Sequence, residues 1–335
     1  MGKLKVGING FGRIGRCLLR IGVDNPNYEI VAVNSPANPK TQAHLLKYDS
    51  VYGVFEKDVK AGENEIIVNG KKVALTSERK LDDLKWKELD VDLVVESTGL
   101  FRTYEDCEKH IASGANKVII SAPPKGNGNI KQIVMGINDS ILEKSDKIIS
   151  NASCTTNCLA PVIKVIQENF GIRRGFLTTV HAYTGDQRLL DGSHKDLRRA
   201  RSAAVNIIPT STGASKAVGK VIPEVDGKLY GMAVRVPVAT GSLIDLIVNL
   251  ENKATAEDIN KAMEKSSEKE LKGILQYTDE PIVSSDIIKS SYSSIFDALS
   301  TTVLHDHFAK VLSWYDNEWG YACRTSDLIE KLAKM

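Results

Sequence analysis

The chain has 335 residues, of which 42% are hydrophobic and 26% are charged, and its formal net charge is +2. This length usually requires more than one hydrophobic core, so two domains are expected. The small net charge gives no global reason for nucleic acid or a membrane as the main partner, and the apolar runs are too short for a membrane span. The opening MGKLKVGINGFG lacks the apolar region of a signal peptide, which predicts a cytoplasmic protein.

The first half of the chain alternates strand and helix patterns. KLKVGI and EIVAVN are predicted strands on either side of a helical segment, CLLRIGVD. Asn69-Gly70 between apolar runs predicts a tight hairpin. TYEDCEKHIASGA predicts a helix capped by Thr103 that ends near Gly114. DLVVEST, KVIISAP, QIVMGIN and KIIS are further predicted strands, so a largely parallel sheet is expected.

After residue 153 the predicted strands become longer and the helices fewer. FLTTVHAYT, KLYGMAVRVP, SLIDLIVNL and FAKVLSWYD have strand patterns. TAEDINKAMEKSSEKE predicts an exposed helix capped by Thr255, and EWGYACRTSDLIEKLAKM predicts a C-terminal helix. This half therefore predicts a mixed α+β domain with antiparallel strands.

A glycine motif, G-x-G-x-x-G, lies between the first strand and the first helix, at Gly10, Gly12 and Gly15. Glycines there let the backbone approach a pyrophosphate, and the helix N-terminus supplies free N–H groups. A glycine-rich turn without ligand is the alternative, but the strand–turn–helix context favours a Rossmann-type dinucleotide site. The second strand ends at Asn34-Ser35, without the carboxylate that usually holds the ribose 2′-OH of NAD.

Five scattered cysteines argue against a disulfide framework, and no neighbouring Cys/His cluster completes a zinc site, so no metal is predicted. SNASCTTNCLAP places Cys154 in or just before the first turn of a helix. The free N–H groups and the helix dipole are expected to lower the pKa of its thiol. Cys158 lies one turn further and is expected to be a packed, unreactive thiol.

A nucleophilic thiol needs a base, and His181 follows in the strand pattern TTVHAYT. A lone strand histidine is more often structural, but this one lies among hydroxyl residues shortly after Cys154. Thiol, imidazole and nicotinamide together indicate attack on an aldehyde. Hydride transfer from the hemithioacetal then gives a thioester.

The motifs INGFGRIGR, HLLKYDSVYG, SNASCTTNCLAP, HAYTGDQ, NIIPTSTGASKAVG and SWYDNEWGY closely resemble those of phosphorylating glyceraldehyde-3-phosphate dehydrogenases, across essentially the whole chain. The resemblance implies a glycolytic or gluconeogenic oxidoreductase with an α/β fold. It also implies a Rossmann-type domain formed by residues 1–153 plus the C-terminal helix 317–335, and a mixed α+β catalytic domain formed by residues 154–316. A homotetramer is implied, in which the loop 183–205 runs near a neighbouring subunit's cofactor.

The resemblance also assigns roles to matching positions. Cys154 would be the nucleophile and His181 its base and later general acid. Glyceraldehyde 3-phosphate and inorganic phosphate would be held by Ser153, Thr155, Thr184, Arg199, Thr212, Gly213 and Arg235. Beyond the glycines, the cofactor would be held by Arg13, Ile14, Ser35, Arg79, Ser121 and Asn317.

Two positions depart from the NAD-using members, which commonly have Asp where this chain has Ser35 and Leu-Pro where it has Gly192-Ser193. We therefore expect NAD as the default cofactor, with NADP accepted, and a preference for NADP stays open as the alternative. The enzyme alternative is erythrose-4-phosphate dehydrogenase, which generally lacks the Ala-Tyr-Thr that follows His181. The other alternative is an additional non-catalytic binding role. The exposed basic run in the loop leaves nucleic acid as a secondary possibility only.

Overall fold

The computed structural model describes residues 2–126 and 128–335. These residues form two compact units. The first unit contains residues up to 133 together with 141–152 and 322–335, and the second contains 134–140 and 153–321. The second unit thus includes Ser153 and two short segments, 134–140 and 317–321, that the predicted boundaries assign to the first domain.

The elements follow one another in an order that changes in character after residue 153. Up to that point the elements are β1 (Leu4–Asn9), α1 (Arg13–Gly22), β2 (Tyr28–Asn34), α2 (Pro39–Lys47), β3 (Tyr48–Asp49), β4 (Gly53–Val54), β5 (Val59–Ala61), β6 (Glu65–Val68), β7 (Lys71–Thr76), β8 (Leu93–Glu96), α3 (Tyr104–Ala112), β9 (Lys117–Ile120), β10 (Lys131–Gln132) and β11 (Ile148–Ser150). After it come α4 (Cys154–Phe170), β12 (Ile172–Ala182), β13 (Ile208–Ser211), α5 (Ala214–Val221), β14 (Leu229–Val236), β15 (Ser242–Leu250), α6 (Ala256–Glu268), β16 (Leu275–Thr278), β17 (Ser294–Leu304), β18 (Phe308–Tyr315) and α7 (Trp319–Ala333).

The first unit is built on a sheet with the strand order β10-β11-β9-β8-β1-β2-β7-β6-β5. The strands from β10 to β7 pair in parallel, and β6 and β5 continue the sheet antiparallel. The predicted parallel sheet is therefore confirmed. Because parallel strands end at the same edge, the loops after β1, β2, β8 and β9 share the carboxyl edge, where α/β proteins bind nucleotides.

The predicted hairpin at Asn69-Gly70 is confirmed, since both residues have positive φ (50° and 79°) between β6 and β7. The predicted strand QIVMGIN is wrong beyond Gln132, where β10 ends. The Asn138 side chain accepts from the backbone N–H of Val134 (2.8 Å), and Asp139 accepts from that of Gly136 (2.8 Å). These local bonds replace a strand ladder with turns.

The second unit contains a mixed sheet with the order β13-β14-β12-β15-β18-β17-β16. Its pairs are antiparallel except β12 with β14 and β16 with β17, which confirms the predicted mixed α+β character. The helix α4 packs against this sheet through a buried face that includes Leu159, Val162 and Ile166. The predicted cap of α6 is confirmed as a reciprocal capping box between Thr255 and Asp258. Within the described residues, every helix is too short or too polar to cross a membrane.

Candidate active site

The first residue of α4 is Cys154, because Ser153 caps the helix. The Ser153 hydroxyl accepts a hydrogen bond from the backbone N–H of Thr156 (3.0 Å), which satisfies one of the free donors of the first turn. Cys154 therefore lies where the remaining N–H groups and the positive end of the helix dipole act on its sulfur. The predicted position of Cys154 at a helix start is confirmed.

The Cys154 sulfur lies 3.5 Å from Nε2 of His181, which is on β12. His181 is buried, and its Nδ1 lies 2.7 Å from the carbonyl oxygen of Ala182. An imidazole protonated on Nδ1 donates to that carbonyl and keeps the lone pair of Nε2 facing the sulfur. In this tautomer, Nε2 is placed to accept the thiol proton.

The guanidinium of Arg235 lies directly beside the His181 imidazole. In the parallel pairing of β12 with β14, His181 is opposite Arg235. The Arg235 Nη1 lies 2.6 Å from Nδ1 of His181 and 2.9 Å from the Ala182 carbonyl oxygen. When Nδ1 carries the proton it cannot accept from Nη1, so Arg235 donates to the carbonyl oxygen alone. The buried Nε of Arg235 has no acceptor among the described residues. An unpartnered buried donor of this kind fits an anion that binds on Arg235.

The pKa of the Cys154 thiol differs from the sequence-based expectation, and that of His181 is also shifted. Burial lowers the pKa of His181 to about 3, with a further contribution from the charge of Arg235. Burial also raises the pKa of the Cys154 thiol, although Arg235 and hydrogen bonds to Thr155 oppose that effect. The expected lowering of the thiol pKa is therefore wrong for this arrangement, because desolvation outweighs the helix start and the cation. Both groups are neutral at pH 7.

The second cysteine of the motif is a packed thiol, as predicted. Cys158 is fully buried, and its sulfur lies 3.6 Å from the Ser294 hydroxyl and 3.8 Å from the Ser313 carbonyl. Burial raises the pKa of Cys158 to about 12. Cys154, in contrast, keeps a partly exposed side chain.

Tyr315 is a site residue that the sequence analysis missed. Its hydroxyl lies 2.9 Å from those of Thr155 and Thr179, and its ring meets the His181 ring edge-on at 5.9 Å. This contact supports the orientation of the imidazole. It also means that the Thr155 hydroxyl faces the buried tyrosine. The only available signal was the position of Tyr315 inside the quoted motif SWYDNEWGY.

The other predicted phosphate ligands surround this group on separate segments. Thr184 follows β12, and its backbone N–H donates to the Gln187 side chain (3.2 Å). Arg199 is held by Asp186 (2.5 Å) and donates to the Thr210 hydroxyl (3.0 Å) on β13. Thr212 and Gly213 precede α5, and Gly213 caps that helix without a side chain. The structure brings Cys154, His181 and Arg235 into direct contact, but it shows no hydrogen bond from these to Thr184, Arg199, Thr212 or Gly213.

Asn317 has a constrained amide in the second unit. It is buried, and its Oδ1 accepts hydrogen bonds from Ser242 (2.8 Å) and Thr240 (3.4 Å). The amide nitrogen therefore has a fixed direction and no acceptor among the described residues. Such an amide can donate to a ligand carbonyl.

In the first unit, the three motif glycines have different surroundings. A Cβ on Gly10 (φ 95°) would meet the Thr98 nitrogen at 2.6 Å, and one on Gly15 would meet the Gly10 carbonyl at 2.5 Å. Gly12 precedes α1 and has open space within 4 Å of such a Cβ. The turn is thus closed toward the sheet at Gly10 and Gly15 and open at Gly12. This arrangement fits a pyrophosphate at the start of α1.

The remaining predicted cofactor residues of this unit lie near the same carboxyl edge or at the start of α1. Arg13, in the first turn of α1, pairs with Asp49 and stacks over the Tyr52 ring at 5.3 Å, and Ile14 follows it. Ser35 and Ser121 come directly after β2 and β9. Arg79 is exposed, three residues beyond β7.

A buried polar network supports this edge. The Trp86 indole donates to Nδ1 of His110 (3.0 Å), so Nε2 carries the proton and faces Glu96 (3.2 Å). Glu96 also accepts from Asn9 (2.5 Å) and from the backbone of Thr98 (2.8 Å). This buried carboxylate therefore fixes the ends of β1 and β8, from which the glycine turn and the next loop begin.

No group of three or more His, Cys, Asp or Glu side chains suited to a metal ion occurs among residues 2–126 and 128–335.

Comparisons with known proteins agree with this geometry. Residues 4–104 match the family described as "Glyceraldehyde 3-phosphate dehydrogenase, NAD binding domain", and residues 153–317 match its "C-terminal domain". The chain is 55% identical over 331 residues to a glyceraldehyde-3-phosphate dehydrogenase of Geobacillus stearothermophilus, covering 98% of each. It is 54% identical over 340 residues to that of Borreliella burgdorferi, covering 99% of this chain and 100% of the relative. It is 53% identical over 334 residues to a chloroplastic glyceraldehyde-3-phosphate dehydrogenase of Arabidopsis thaliana, covering 99% of this chain and 84% of the relative.

Proposed function

The chain belongs to the glyceraldehyde-3-phosphate dehydrogenase family, and from that membership we propose that it oxidises D-glyceraldehyde 3-phosphate to 1,3-bisphosphoglycerate with NAD(P)+ and inorganic phosphate. The observation that carries the proposal is the 3.5 Å contact between the Cys154 sulfur and Nε2 of His181, with Arg235 beside the imidazole. Simple alcohol oxidation would need no thiol. A thiol next to a base allows a covalent thioester, which can pass its acyl group to phosphate.

The residues present fit a dinucleotide. The open position at Gly12 before α1 suits the pyrophosphate. We propose that Asn317, whose Oδ1 is held by Ser242, donates from its amide nitrogen to the nicotinamide amide. We propose that Arg13, Ile14, Ser35, Arg79 and Ser121 complete the binding site. When bound, the nicotinamide supplies the hydride acceptor for the oxidation.

The first step is addition of the Cys154 sulfur to the aldehyde carbon. The thiol proton leaves through Nε2 of His181, and the aldehyde oxygen gains a proton to become the hemithioacetal hydroxyl. In the oxidation, the C1 hydrogen leaves as hydride and His181 accepts the hydroxyl proton, which gives the thioester. Positioned acid–base groups of this kind typically accelerate a step by about a hundredfold to ten-thousandfold.

Phosphate then attacks the thioester carbon, the carbon–sulfur bond breaks, and the proton on His181 returns to the sulfur. Two phosphate groups must be held for this step, one on the substrate and one that attacks. We propose that Thr184 and Arg235 hold the substrate phosphate, while Ser153, Thr155, Arg199, Thr212 and Gly213 hold the attacking one. The unpartnered Nε of Arg235 supports the first assignment. Thr155 would act through its backbone N–H, since its hydroxyl faces Tyr315.

We further propose that the protein is a cytoplasmic homotetramer, with the first unit as cofactor-binding domain and the second as catalytic domain. Support for oligomerisation comes from apolar side chains between β12 and β13 that are at least 70% exposed in the single chain: Leu189, Leu190, Leu197, Val205 and Ile207. Several large apolar side chains exposed within one segment of the chain are typical of protein interfaces. Light scattering at assay concentrations measures the molar mass in solution and so tests the homotetramer.

Steady-state kinetics tests the function. The assay follows reduced cofactor at 340 nm with D-glyceraldehyde 3-phosphate, with and without inorganic phosphate, and with NAD+ or NADP+. The proposal predicts turnover that depends on phosphate and is lost in Cys154→Ser. Erythrose 4-phosphate is the competing substrate. A higher kcat/KM for erythrose 4-phosphate, or turnover that does not need phosphate, would contradict the proposal.

A further inference from the structure

The Asp186 carboxylate connects Arg199, a proposed ligand of the attacking phosphate, to the ring of His194. Its Oδ2 lies 2.5 Å from Nη1 of Arg199, and its Oδ1 lies 3.6 Å from Nε2 of His194. Burial raises the pKa of Asp186, but the hydrogen bond and charge of Arg199, with a smaller contribution from His194, outweigh burial and keep that pKa below its ordinary value. Asp186 is therefore ionised at neutral pH, with one oxygen on the guanidinium and the other facing the imidazole.

The surroundings of the His194 ring determine which nitrogen carries a proton. Nδ1 lies 2.9 Å from the backbone nitrogen of Asp196, which only donates, and 3.0 Å from the Asp196 carbonyl oxygen. A neutral ring that accepts from this N–H carries its proton on Nε2, and a charged ring carries protons on both nitrogens. A ring protonated on Nδ1 alone would turn the Nε2 lone pair toward the carboxylate and leave the Asp196 N–H without its acceptor. The assignment that fits is therefore an Nε2–H that faces Asp186.

The two side chains differ in how firmly packing holds them. The side chain of His194 is only 7% exposed, and its contact with Asp196 fixes the orientation of the ring. The side chain of Asp186 is 51% exposed and lies in the turn that follows β12. Packing therefore restrains the histidine more than the aspartate, which has room for other rotamers. The His194 N–H favours the rotamer in which Oδ2 stays on Arg199.

Arg199 takes its orientation from Asp186 and from β13. Its Nε donates to the Thr210 hydroxyl (3.0 Å), and its Nη2 donates to the Ser211 carbonyl (3.4 Å). These contacts hold Nε and Nη2, whereas Asp186 holds Nη1. A guanidinium held at all three nitrogens presents its remaining N–H donors in one direction, as the binding of a phosphate by two hydrogen bonds requires.

We propose that His194 is a positioning residue that holds Asp186 in the rotamer that orients Arg199 for the attacking phosphate. The proposal rests on the proposed function, because it takes Arg199 as a ligand of that phosphate. His194 acts through the carboxylate and touches no reactant. Its loss should therefore weaken the binding of inorganic phosphate and leave the substrate phosphate, assigned to Thr184 and Arg235, almost unaffected.

Two substitutions of His194 separate the two contacts of its ring. In His194→Asn, the side-chain oxygen can accept from the Asp196 N–H two residues on, but the side chain ends at the level of Nδ1 and cannot reach Asp186. In His194→Gln, the amide nitrogen can take the place of Nε2 as the donor to Asp186. We expect His194→Asn to raise the Kd for inorganic phosphate about threefold to tenfold, the worth of one hydrogen bond. His194→Gln should bring this Kd back toward the wild-type value.

Titration calorimetry measures the Kd for inorganic phosphate without turnover. Saturating sn-glycerol 3-phosphate, which has no aldehyde, fills the substrate-phosphate position during the titration. In steady-state kinetics, the KM for inorganic phosphate should rise with the Kd in His194→Asn, while the KM for glyceraldehyde 3-phosphate stays within about twofold. His305→Asn is the matched control, because His305 is exposed in the turn between β17 and β18 and has a positive φ (50°) that asparagine tolerates. It should leave all three constants within about twofold.

An unchanged Kd for phosphate in His194→Asn would overturn the proposal, and so would a Kd in His194→Gln no lower than in His194→Asn. Because His194 acts through the carboxylate, His194→Asn should have little further effect in an Asp186→Ala background, and an equal rise in both backgrounds would also overturn it. A parallel rise in the KM for glyceraldehyde 3-phosphate would show a general structural role instead.

If His194→Asn does not fold, Asp186→Asn carries the test, since it removes the charge that holds Arg199 and should raise the Kd for phosphate about threefold or more. An unchanged Kd in that variant would overturn the proposal. Absence of phosphate binding in the wild type would overturn it whatever the activity. Phosphate binding that responds to His194 as expected, without oxidation of the aldehyde, would contradict the proposed function alone.

Discussion

Alkylation of the two cysteines of α4 separates the proposed nucleophile from its neighbour. At pH 8, a thiol with the pKa of Cys158, about 12, has a thiolate fraction of about one in ten thousand. Cys158 is also fully buried, so iodoacetamide reaches it only when the helix opens locally. Cys154 is partly exposed and faces an imidazole lone pair. We therefore expect Cys154 to react at least about a hundred times faster in the folded protein.

The assay combines the time course of iodoacetamide incorporation with peptide mass mapping at each time point. Cys154→Ser should remove the fast phase and abolish aldehyde oxidation. Cys158→Ser is the matched control, because it makes the same change one turn along the helix, where the Ser294 hydroxyl and the Ser313 carbonyl lie near enough to offer partners to a buried hydroxyl. It should retain the fast phase and most of the activity. Faster or equal labelling of Cys158 in the folded protein would refute the assignment of the nucleophile.

Three further predictions concern His181 and the glycine turn. His181→Asn should slow single-turnover hydride transfer by about a hundredfold to ten-thousandfold, followed by absorbance at 340 nm, and a rate near wild type would make His181 structural. The pKa of His181 is about 3 in the folded protein and about 6.5 in the unfolded chain, so below pH 6.5 the unfolded chain binds a proton that the folded protein does not. The free energy of unfolding therefore falls as the pH falls below 6.5, by about 2 kcal/mol at pH 5. Thermal unfolding at pH 7 and pH 5 should therefore show a larger loss of Tm in wild type than in His181→Asn, and equal losses would show that this histidine does not cause the pH dependence. Gly12→Ala should keep the wild-type Tm but weaken cofactor binding, whereas Gly15→Ala should lower Tm because its Cβ meets the Gly10 carbonyl, and the reverse pattern would contradict the assigned glycine roles.

The elements that the sequence predicted well are those fixed by local interactions. The hairpin at Asn69-Gly70 and the start of α4 after Ser153 each depend on residues within one turn of the chain. The predicted strand QIVMGIN was wrong beyond Gln132 because the Asn138 and Asp139 side chains accept hydrogen bonds from the backbone of the segment before them. An apolar pattern does not reveal such bonds.

The arrangement of the site depended on contacts that are distant in sequence. His181 and Arg235 meet only because β12 and β14 pair in parallel with one particular register. The direction of the Cys154 pKa shift could not be predicted for the same reason. The position of Cys154 at a helix start is visible in the local sequence, but its burial depends on residues that are distant in sequence. Roles for Thr184, Arg199, Thr212 and Gly213 came from family resemblance, because their spacing alone indicates no site.

The register that places Arg235 beside His181 has an electrostatic consequence for the proposed mechanism. The cation opposes a charged imidazolium at His181 and favours a thiolate at Cys154, so it lowers both pKa values. These two effects largely offset each other in a thiolate–imidazolium pair, whose net charge is zero. Burial and, to a smaller extent, Arg235 therefore keep the free imidazole neutral, as a base must be, and Arg235 does so without preventing proton transfer between the two groups. If Arg235 holds the substrate phosphate as proposed, the bound dianion offsets its charge, and the basicity of His181 rises when the aldehyde is in place.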